Sequence, residues 1–140
     1  MKIILSIFML ICLCGCDSEF EDFVYQEYQL PAKASALELN IETDKAVQIN
    51  DKDEFQRVFS NFPNAKDIDF NKYTLLLVKG VSTSGIGEIE KTISITDNKY
   101  IFTISVKKNT TTVMEPWYLA YIIPKTSEEN IILSVNYEFL

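Results

Sequence analysis

Residues 74–80, TLLLVKG, decide the fold class of this chain. The run from Leu75 to Val78 is apolar throughout, so an extended backbone here would present apolar side chains on both of its faces. A strand with one face in water alternates apolar and polar residues instead. We therefore predict a strand at the centre of a sheet, with other parts of the chain packed on both faces.

The segment before this strand carries the signals of a helix. Asn50 or Asp51 can cap the first turn, and Glu54 follows Asp51 by three residues, as in a capping box. Apolar residues then recur at helical spacing until Pro63 stops the pattern, which predicts a helix over residues 51–62. Its apolar stripe consists of Phe55, Val58, Phe59 and Phe62.

The rest of the chain has strand patterns. Leu37, Leu39 and Ile41 alternate with polar residues, which predicts a half-exposed strand, and residues 46–49 predict a second short one. After residue 80 the strand patterns continue to the last residue, with Asp97-Asn98-Lys99 as a hairpin turn. The sequence thus predicts one α+β domain over residues 36–140, with one helix packed on a twisted antiparallel sheet of five or more strands. Its C-terminal two-thirds are β-rich.

The N-terminus has the pattern of a secretion signal. Lys2 precedes an apolar run over residues 3–13, which is too short to span a bilayer as a helix. The run ends in Leu13-Cys14-Gly15-Cys16, which resembles the lipobox of bacterial lipoproteins. That resemblance implies a signal peptide over residues 1–15, cleavage before Cys16, and a membrane anchor made by acyl chains on Cys16. An ordinary signal peptide, with Cys16 incidental, is the alternative.

An acidic stretch follows Cys16. Residues 17–22, DSEFED, resemble the surface-export signal of Bacteroidetes lipoproteins, whereas an aspartate directly after the cysteine resembles an inner-membrane retention signal of enterobacteria. A solvated spacer is the plainer interpretation. We predict a lipidated cysteine and acidic tether over residues 16–35, and a location in the cell envelope, at the outer membrane or cell surface of a Gram-negative bacterium.

The composition argues against several functional classes. Thirteen Lys and Arg stand against 20 Asp and Glu, and this net charge of −7 argues against nucleic-acid binding, which needs clustered cations. Histidine is absent and all 3 cysteines lie at positions 12–16, so the commonest general base, the commonest transition-metal ligand and a usable thiol are missing. Acidic neighbours such as Asp67 and Asp69 lack the spacing of a calcium loop. We predict no enzyme activity, no cofactor and no metal site.

Two stretches are candidate sites for a protein partner. The loop 82–87, STSGIG, holds 2 of the chain's 4 glycines, which indicates a backbone with positive φ or a close approach by a neighbour. It is either a recognition loop or a plain hairpin connection. The only tryptophan stands beside a proline at a strand entrance, as an exposed anchor or as core. The candidate partner-binding residues are Ser84, Gly85, Gly87, Pro116 and Trp117.

The second half of the chain resembles a known family. Asp69-Phe70 precedes the apolar strand, Ser84-Gly85 occupies the turn, and a late strand ends in Ile123-Pro124-Lys125. In this order, over about residues 45–125, these parts look like the C-terminal domain of PrcB-like protease-complex lipoproteins. The resemblance implies a non-catalytic envelope lipoprotein that binds and stabilises a secreted peptidase. The family's turn is Pro-Thr-Gly-Gly-Tyr, from which this chain departs.

Two other functions remain open at this point. Thr83-Ser84-Gly85 and Glu115-Pro116-Trp117 are similar to the two loops of chagasin-like cysteine-peptidase inhibitors, although the long helix and a missing Asn-Pro pair depart from that family. A structural or surface-assembly lipoprotein without a peptidase partner is the other. Gly85 and Trp117 together at an exposed end would favour a peptidase-binding edge. A buried Trp117 would favour a scaffold.

Overall fold

A computed structural model describes residues 25–140. The predicted signal peptide (1–15), the lipidation site Cys16 and residues 17–24 of the predicted tether lie outside the described residues. Within residues 25–140, no helix has both the length and the apolar character needed to cross a membrane.

In the part of the chain that the structure describes, seven strands form two sheets. Sheet 1 has the strand order β1-β6-β3-β2, and sheet 2 has the order β4-β5-β7. The strands of sheet 1 are β1 (Gln26–Glu27), β2 (Lys45–Ile49), β3 (Tyr73–Ser82) and β6 (Glu115–Pro124). Those of sheet 2 are β4 (Ile86–Thr96), β5 (Lys99–Lys108) and β7 (Ile131–Phe139). The helix α1 is Lys52–Val58, and two short 3₁₀ turns span Ala34–Ala36 and Glu128–Asn130.

The α+β class is confirmed, but the single antiparallel sheet is wrong. The strands divide between two sheets, and β7 pairs with β5 in parallel. The reason is that β6, which lies between these two strands in the chain, joins sheet 1 beside β3. The chain therefore returns to sheet 2 by a crossover, and a crossover is what parallel neighbours require.

The central strand is buried on both faces, as predicted. Leu75 and Leu77 belong to the core cluster that also contains α1, whereas Leu76 and Val78 belong to the two clusters shared with sheet 2. All four side chains are at most 1% exposed. Sheet 1 is thus the middle layer between the helix side and sheet 2, which explains why residues 75–78 carry no polar residue.

The helix begins where the capping box predicts and ends earlier than expected. Asp51 caps it by accepting a hydrogen bond from the Glu54 backbone N–H at 2.8 Å. It ends at Val58 rather than residue 62. The Val58 carbonyl accepts a hydrogen bond from the Glu38 N–H at 2.9 Å. The segment that contains Glu38 thus satisfies a carbonyl group that the end of the helix leaves without an intrahelical partner.

The strand predicted from Leu37, Leu39 and Ile41 is wrong. Leu37 and Ile41 are buried, but residues 37–42 are not a strand. Their backbone contacts the helix end instead, since the Arg57 guanidinium donates to the Glu38 carbonyl at 3.2 Å. The second short strand is confirmed, because β2 forms where residues 46–49 predicted it. The hairpin turn is also confirmed, because Asp97 and Asn98 have φ of 52° and 65°, as a two-residue hairpin turn requires.

The predicted boundary at residue 36 is also wrong, because residues 26–34 are part of the domain. Gln26 and Glu27 pair with Ile122 and Tyr121 of β6. Tyr28 is 5% exposed, and its hydroxyl donates to the Lys66 carbonyl at 2.7 Å. The acidic and aromatic composition of this stretch looked like a spacer, but its aromatic residues are what tie it to the core.

Candidate functional site

The structure brings all five candidate residues to one end of the two sheets. Ser82 and Glu115 are paired partners on β3 and β6, so loop 82–87 starts beside the beginning of β6. This loop is bonded to the segment after β5, because the Asn109 N–H donates to the Gly85 carbonyl at 2.8 Å and the Gly85 N–H to Thr111 at 3.2 Å. The five residues nevertheless differ widely in exposure.

Trp117 is a core residue and not an exposed anchor. It is 5% exposed and packs between the sheets with Val78, Ile104 and Val106. Gly80 is its paired partner on β3, and a methyl group at residue 80 would overlap the indole ring. The two expectations left open for Trp117 are therefore decided in favour of the core.

A hydrogen-bonded chain of three side chains holds this tryptophan. The indole Nε1 donates to the Tyr137 hydroxyl at 3.3 Å, and that hydroxyl donates to Asp44 Oδ1 at 2.6 Å. Burial, followed by the bond to Asp44, raises the pKa of Tyr137 to about 12. Because Asp44 precedes β2 and Tyr137 lies on β7, this chain ties sheet 1 to sheet 2. No sequence signal placed Asp44 near Tyr137.

Replacing Tyr137 by phenylalanine is expected to lower the free energy of unfolding by about 1–2 kcal/mol, because the buried indole N–H loses its acceptor. The native protein should also lose stability as the pH rises from about 10 towards 12. The raised pKa of Tyr137 favours its protonated form in the folded state, so the unfolded state ionises first. Because the pKa values of Tyr28, Tyr100 and Tyr121 are raised as well, the part due to Tyr137 is the difference between the native protein and Tyr137→Phe in urea unfolding at pH 7 and pH 11.

Tyr25→Phe is the matched control, since Tyr25 is 44% exposed. It should leave the free energy of unfolding at pH 7 within about 0.5 kcal/mol of the native value. Equal effects of the two substitutions would contradict the role given to the Tyr137 hydroxyl.

The glycines of loop 82–87 serve close packing. Among the described residues no glycine has positive φ. A Cβ at Gly85 would instead overlap Thr111 Oγ1 and crowd Asn109 Oδ1, and one at Gly87 would meet the side chain of Leu140. Ser84 is 8% exposed, and its Oγ has no hydrogen-bond partner among the groups described. Close approach, the second of the two explanations given for these glycines, is confirmed.

Pro116 lies at the edge of sheet 1. The Ala120 carbonyl accepts the Tyr28 N–H at 2.9 Å, so even-numbered residues of β6 direct their backbone groups towards β1 and away from β3. Pro116 therefore removes no hydrogen bond from the β3–β6 ladder, which is the position where strands tolerate proline. Its side chain and Gly87 are exposed, unlike the other three candidate residues.

The same end of the domain carries an exposed apolar surface that the sequence analysis missed. Val113 is 59% exposed, Met114 69% and Leu140 75%. We call these three residues the apolar tip. They lie close to loop 82–87, because Gly85 bonds Thr111 and Gly87 packs against Leu140. The available signal was an apolar Val-Met pair between a polar loop and the Glu-Pro that begins β6.

Lys107 and Glu138, on the neighbouring strands β5 and β7 near the tip, form an ion pair at the surface. Lys107 Nζ lies 2.7 Å from Glu138 Oε1 and 4.0 Å from Glu90 Oε1. The hydrogen bond from Lys107 lowers the pKa of Glu138, and the same bond raises the pKa of Lys107. Within residues 25–140, no group of three or more acidic, cysteine or histidine side chains is arranged to hold a metal ion. This end of the molecule offers contact surface and fixed charges.

Comparison with protein-family models, with curated proteins and with solved structures found no match to this chain.

Proposed function

We propose that this protein is a lipid-anchored, non-catalytic component of the cell envelope that binds a protein partner through the apolar tip. The observation that carries the proposal is the exposure of Val113, Met114 and Leu140 at one end of the domain. Large apolar side chains grouped on a surface mark interaction sites more often than isolated ones do. Methionine is also enriched in protein interfaces and depleted at ordinary surfaces.

The distribution of exposed apolar residues supports the choice of this end. Among the described residues, Phe139, which precedes Leu140, is 64% exposed, whereas Tyr25, Ile95 and Ile132 are each 41–44% exposed. These three lie towards the far end of the sheets or the start of β7, and they are less exposed than any residue of the tip. Trp117, one of the five candidate partner-binding residues, is only 5% exposed and offers almost no surface to a partner.

The position of the N-terminal segment is compatible with an anchor on Cys16. Gln26 pairs with Ile122 near the end of β6, whereas the tip adjoins Glu115 at its beginning. These positions are separated by roughly 20–25 Å of extended strand. Acyl chains on Cys16 would hold the domain at the membrane through the segment that joins Gln26.

The partner that we propose is a secreted peptidase stabilised by this protein, which is what the PrcB-like resemblance implies. The chagasin-like alternative is less well supported, because its similarity included Trp117 as part of a contact loop and that ring is buried. An assembly partner without peptidase activity is the remaining alternative, and the burial of Trp117 favours it over a peptidase-binding edge formed by Gly85 and Trp117. The tip would serve it equally well, so the identity of the bound protein decides between them.

Substitution of Met114 by lysine is expected to reduce partner capture by about tenfold, since a desolvated apolar contact at an interface centre is worth more than 1 kcal/mol. The chain from residue 16, with Cys16→Ser, would be immobilised and exposed to envelope extract of the producing bacterium. Bound proteins would be identified and quantified by mass spectrometry. Half-lives of any peptidase found would then be measured with and without the domain.

Ile95→Lys is the matched control, because Ile95 is an exposed apolar residue at the opposite end of sheet 2. It should capture the partner as well as the native chain does. Equal capture by both variants would contradict the apolar tip as the binding surface. No protein retained by the native chain would contradict the binding function itself.

A further inference from the structure

The outer edge of β7 is unpaired among the described strands. β7 is the last strand of sheet 2, with β5 on its other side. The Leu140 N–H donates to the Lys108 carbonyl at 2.9 Å, so even-numbered residues of this segment direct their backbone groups towards β5. The odd-numbered residues of Ile131–Phe139 therefore direct their N–H and C=O groups outward, because these groups alternate along a strand.

The other described edges carry features that oppose strand pairing. β1 is only 2 residues long, β2 begins with Lys45, and the open part of β6 has Pro116 on its outer side. β4 has a bulge between Ile86 and Glu88 and several charged side chains. Short length, lysine, proline and bulges are the devices by which proteins block edge-to-edge association.

β7 lacks these devices. Its sequence, IILSVNYEF, contains no Lys, Arg, Pro or Gly, and its single charge belongs to Glu138. That carboxylate is already engaged by Lys107 at 2.7 Å and by Ser105 at 2.9 Å. A regular 9-residue edge rich in β-branched and aromatic residues is therefore left available for pairing.

We propose that this edge pairs with β7 of a second copy of the chain, antiparallel, about a two-fold axis at Val135. This arrangement places Ile131 opposite Phe139, Leu133 opposite Tyr137, and Val135 opposite itself. Every outward-directed residue then faces another outward-directed residue, which allows up to about ten hydrogen bonds between the strands.

The outer face of the paired strands is also compatible with the same register. Ser134 lies opposite Asn136 and Ile132 opposite Glu138, so no like charges face each other across the axis. Ile132 on this face and Phe139 on the opposite face are 41% and 64% exposed, and each would gain a neighbour from the second copy. The contact is small, so we expect a weak dimer with a dissociation constant on the order of 10–100 µM. The inference does not rest on the proposed function, because Val113 and Met114 lie outside β7.

Two pairs of surface substitutions test the register directly. Ser134 and Asn136 are exposed, and each faces the other residue of the second copy. Lysine at both positions makes two lysines face each other at each of the two symmetry-related contacts. Ser134→Lys combined with Asn136→Glu makes a lysine face a glutamate at each contact instead. Each variant would be made in the chain from residue 16 with Cys16→Ser, which retains every described residue, and studied by sedimentation from about 5 to 500 µM.

The native chain should associate to a dimer over this range. The double-lysine variant should raise the dissociation constant about tenfold, and the lysine–glutamate variant should stay within about threefold of the native value. Equal melting temperatures of the three proteins at low concentration would show that the monomer fold is unchanged. A native chain that remains monomeric throughout, or equal weakening by both variants, would overturn the proposal.

Discussion

Replacement of Trp117 by alanine is expected to lower the free energy of unfolding by about 4 kcal/mol. The indole is 5% exposed and fills the space between the two sheets with Val78 and Ile104. Its removal leaves a cavity that two paired sheets cannot easily close, and it also removes the donor to the Tyr137 hydroxyl. Urea unfolding followed by circular dichroism at 25 °C gives the value.

Met114→Ala is the control for this measurement, because Met114 lies near the same end of β6 but is 69% exposed. It should change the free energy of unfolding by no more than about 0.5 kcal/mol. Trp117 is the only tryptophan of the chain, so its fluorescence reports its surroundings without interference. A loss below about 1 kcal/mol, or emission typical of water-exposed indole, would contradict the buried position.

Replacement of Gly80 by valine should cost about 3 kcal/mol or more. Gly80 faces Trp117 across the β3–β6 pair, and any side chain there would overlap the ring. The ring has no room to move aside, because it is enclosed by the core and bonded to Tyr137. The substitution therefore has to displace either the indole or the backbone of a central strand, and thermal or urea unfolding would measure the cost.

A double-mutant cycle tests whether overlap with Trp117 causes the loss of stability in Gly80→Val. In a Trp117→Leu background the smaller side chain frees part of the space above residue 80, so Gly80→Val should cost at least about 1 kcal/mol less than in the native protein. Gly87→Ala is the control, since its methyl group meets the end of the Leu140 side chain, which is exposed and free to turn. Additive effects of the two core substitutions would show that Gly80 is needed for another reason.

Local sequence signals were sufficient to predict those elements that depend only on residues close together in the chain. The apolar run at residues 75–78 predicted a strand covered on both faces, because successive side chains of a strand point to opposite faces and all four of these are apolar. The spacing of Asp51 and Glu54 predicted where the helix begins, and the Asp-Asn pair predicted the hairpin turn. The signals for this strand, for the helix start and for the hairpin turn all lie within a few residues of the element that they predict.

The errors concern contacts between distant parts of the chain. Alternation at Leu37, Leu39 and Ile41 fits a strand, but this segment bonds to the end of α1, which no local pattern can specify. The parallel pairing of β7 depends on β6 joining the other sheet. The inclusion of Tyr28 in the core depends on a hydrogen bond to Lys66, which is 38 residues away.

At the candidate site, too, local signals were informative and contacts between distant parts of the chain were not predictable. The five residues selected from the sequence do lie together at one end of the molecule, because the Gly pair and the Pro-Trp pair both mark unusual backbone or packing. It could not decide whether Trp117 points to solvent, since either orientation fits a strand entrance. The apolar tip was missed because exposure of Val113 and Met114 depends on a loop that leaves the sheets after Lys108.

Site-specific photocrosslinking in living cells tests the central claim, that this domain meets a protein partner through the apolar tip. A photoreactive phenylalanine analogue would replace Met114 in one strain and Ile95 in another, with the full-length chain expressed in the producing bacterium. We predict that irradiation links one defined protein to position 114 and does not link that protein to position 95. The absence of any crosslink from position 114, or the same crosslinked protein from both positions, would contradict the account.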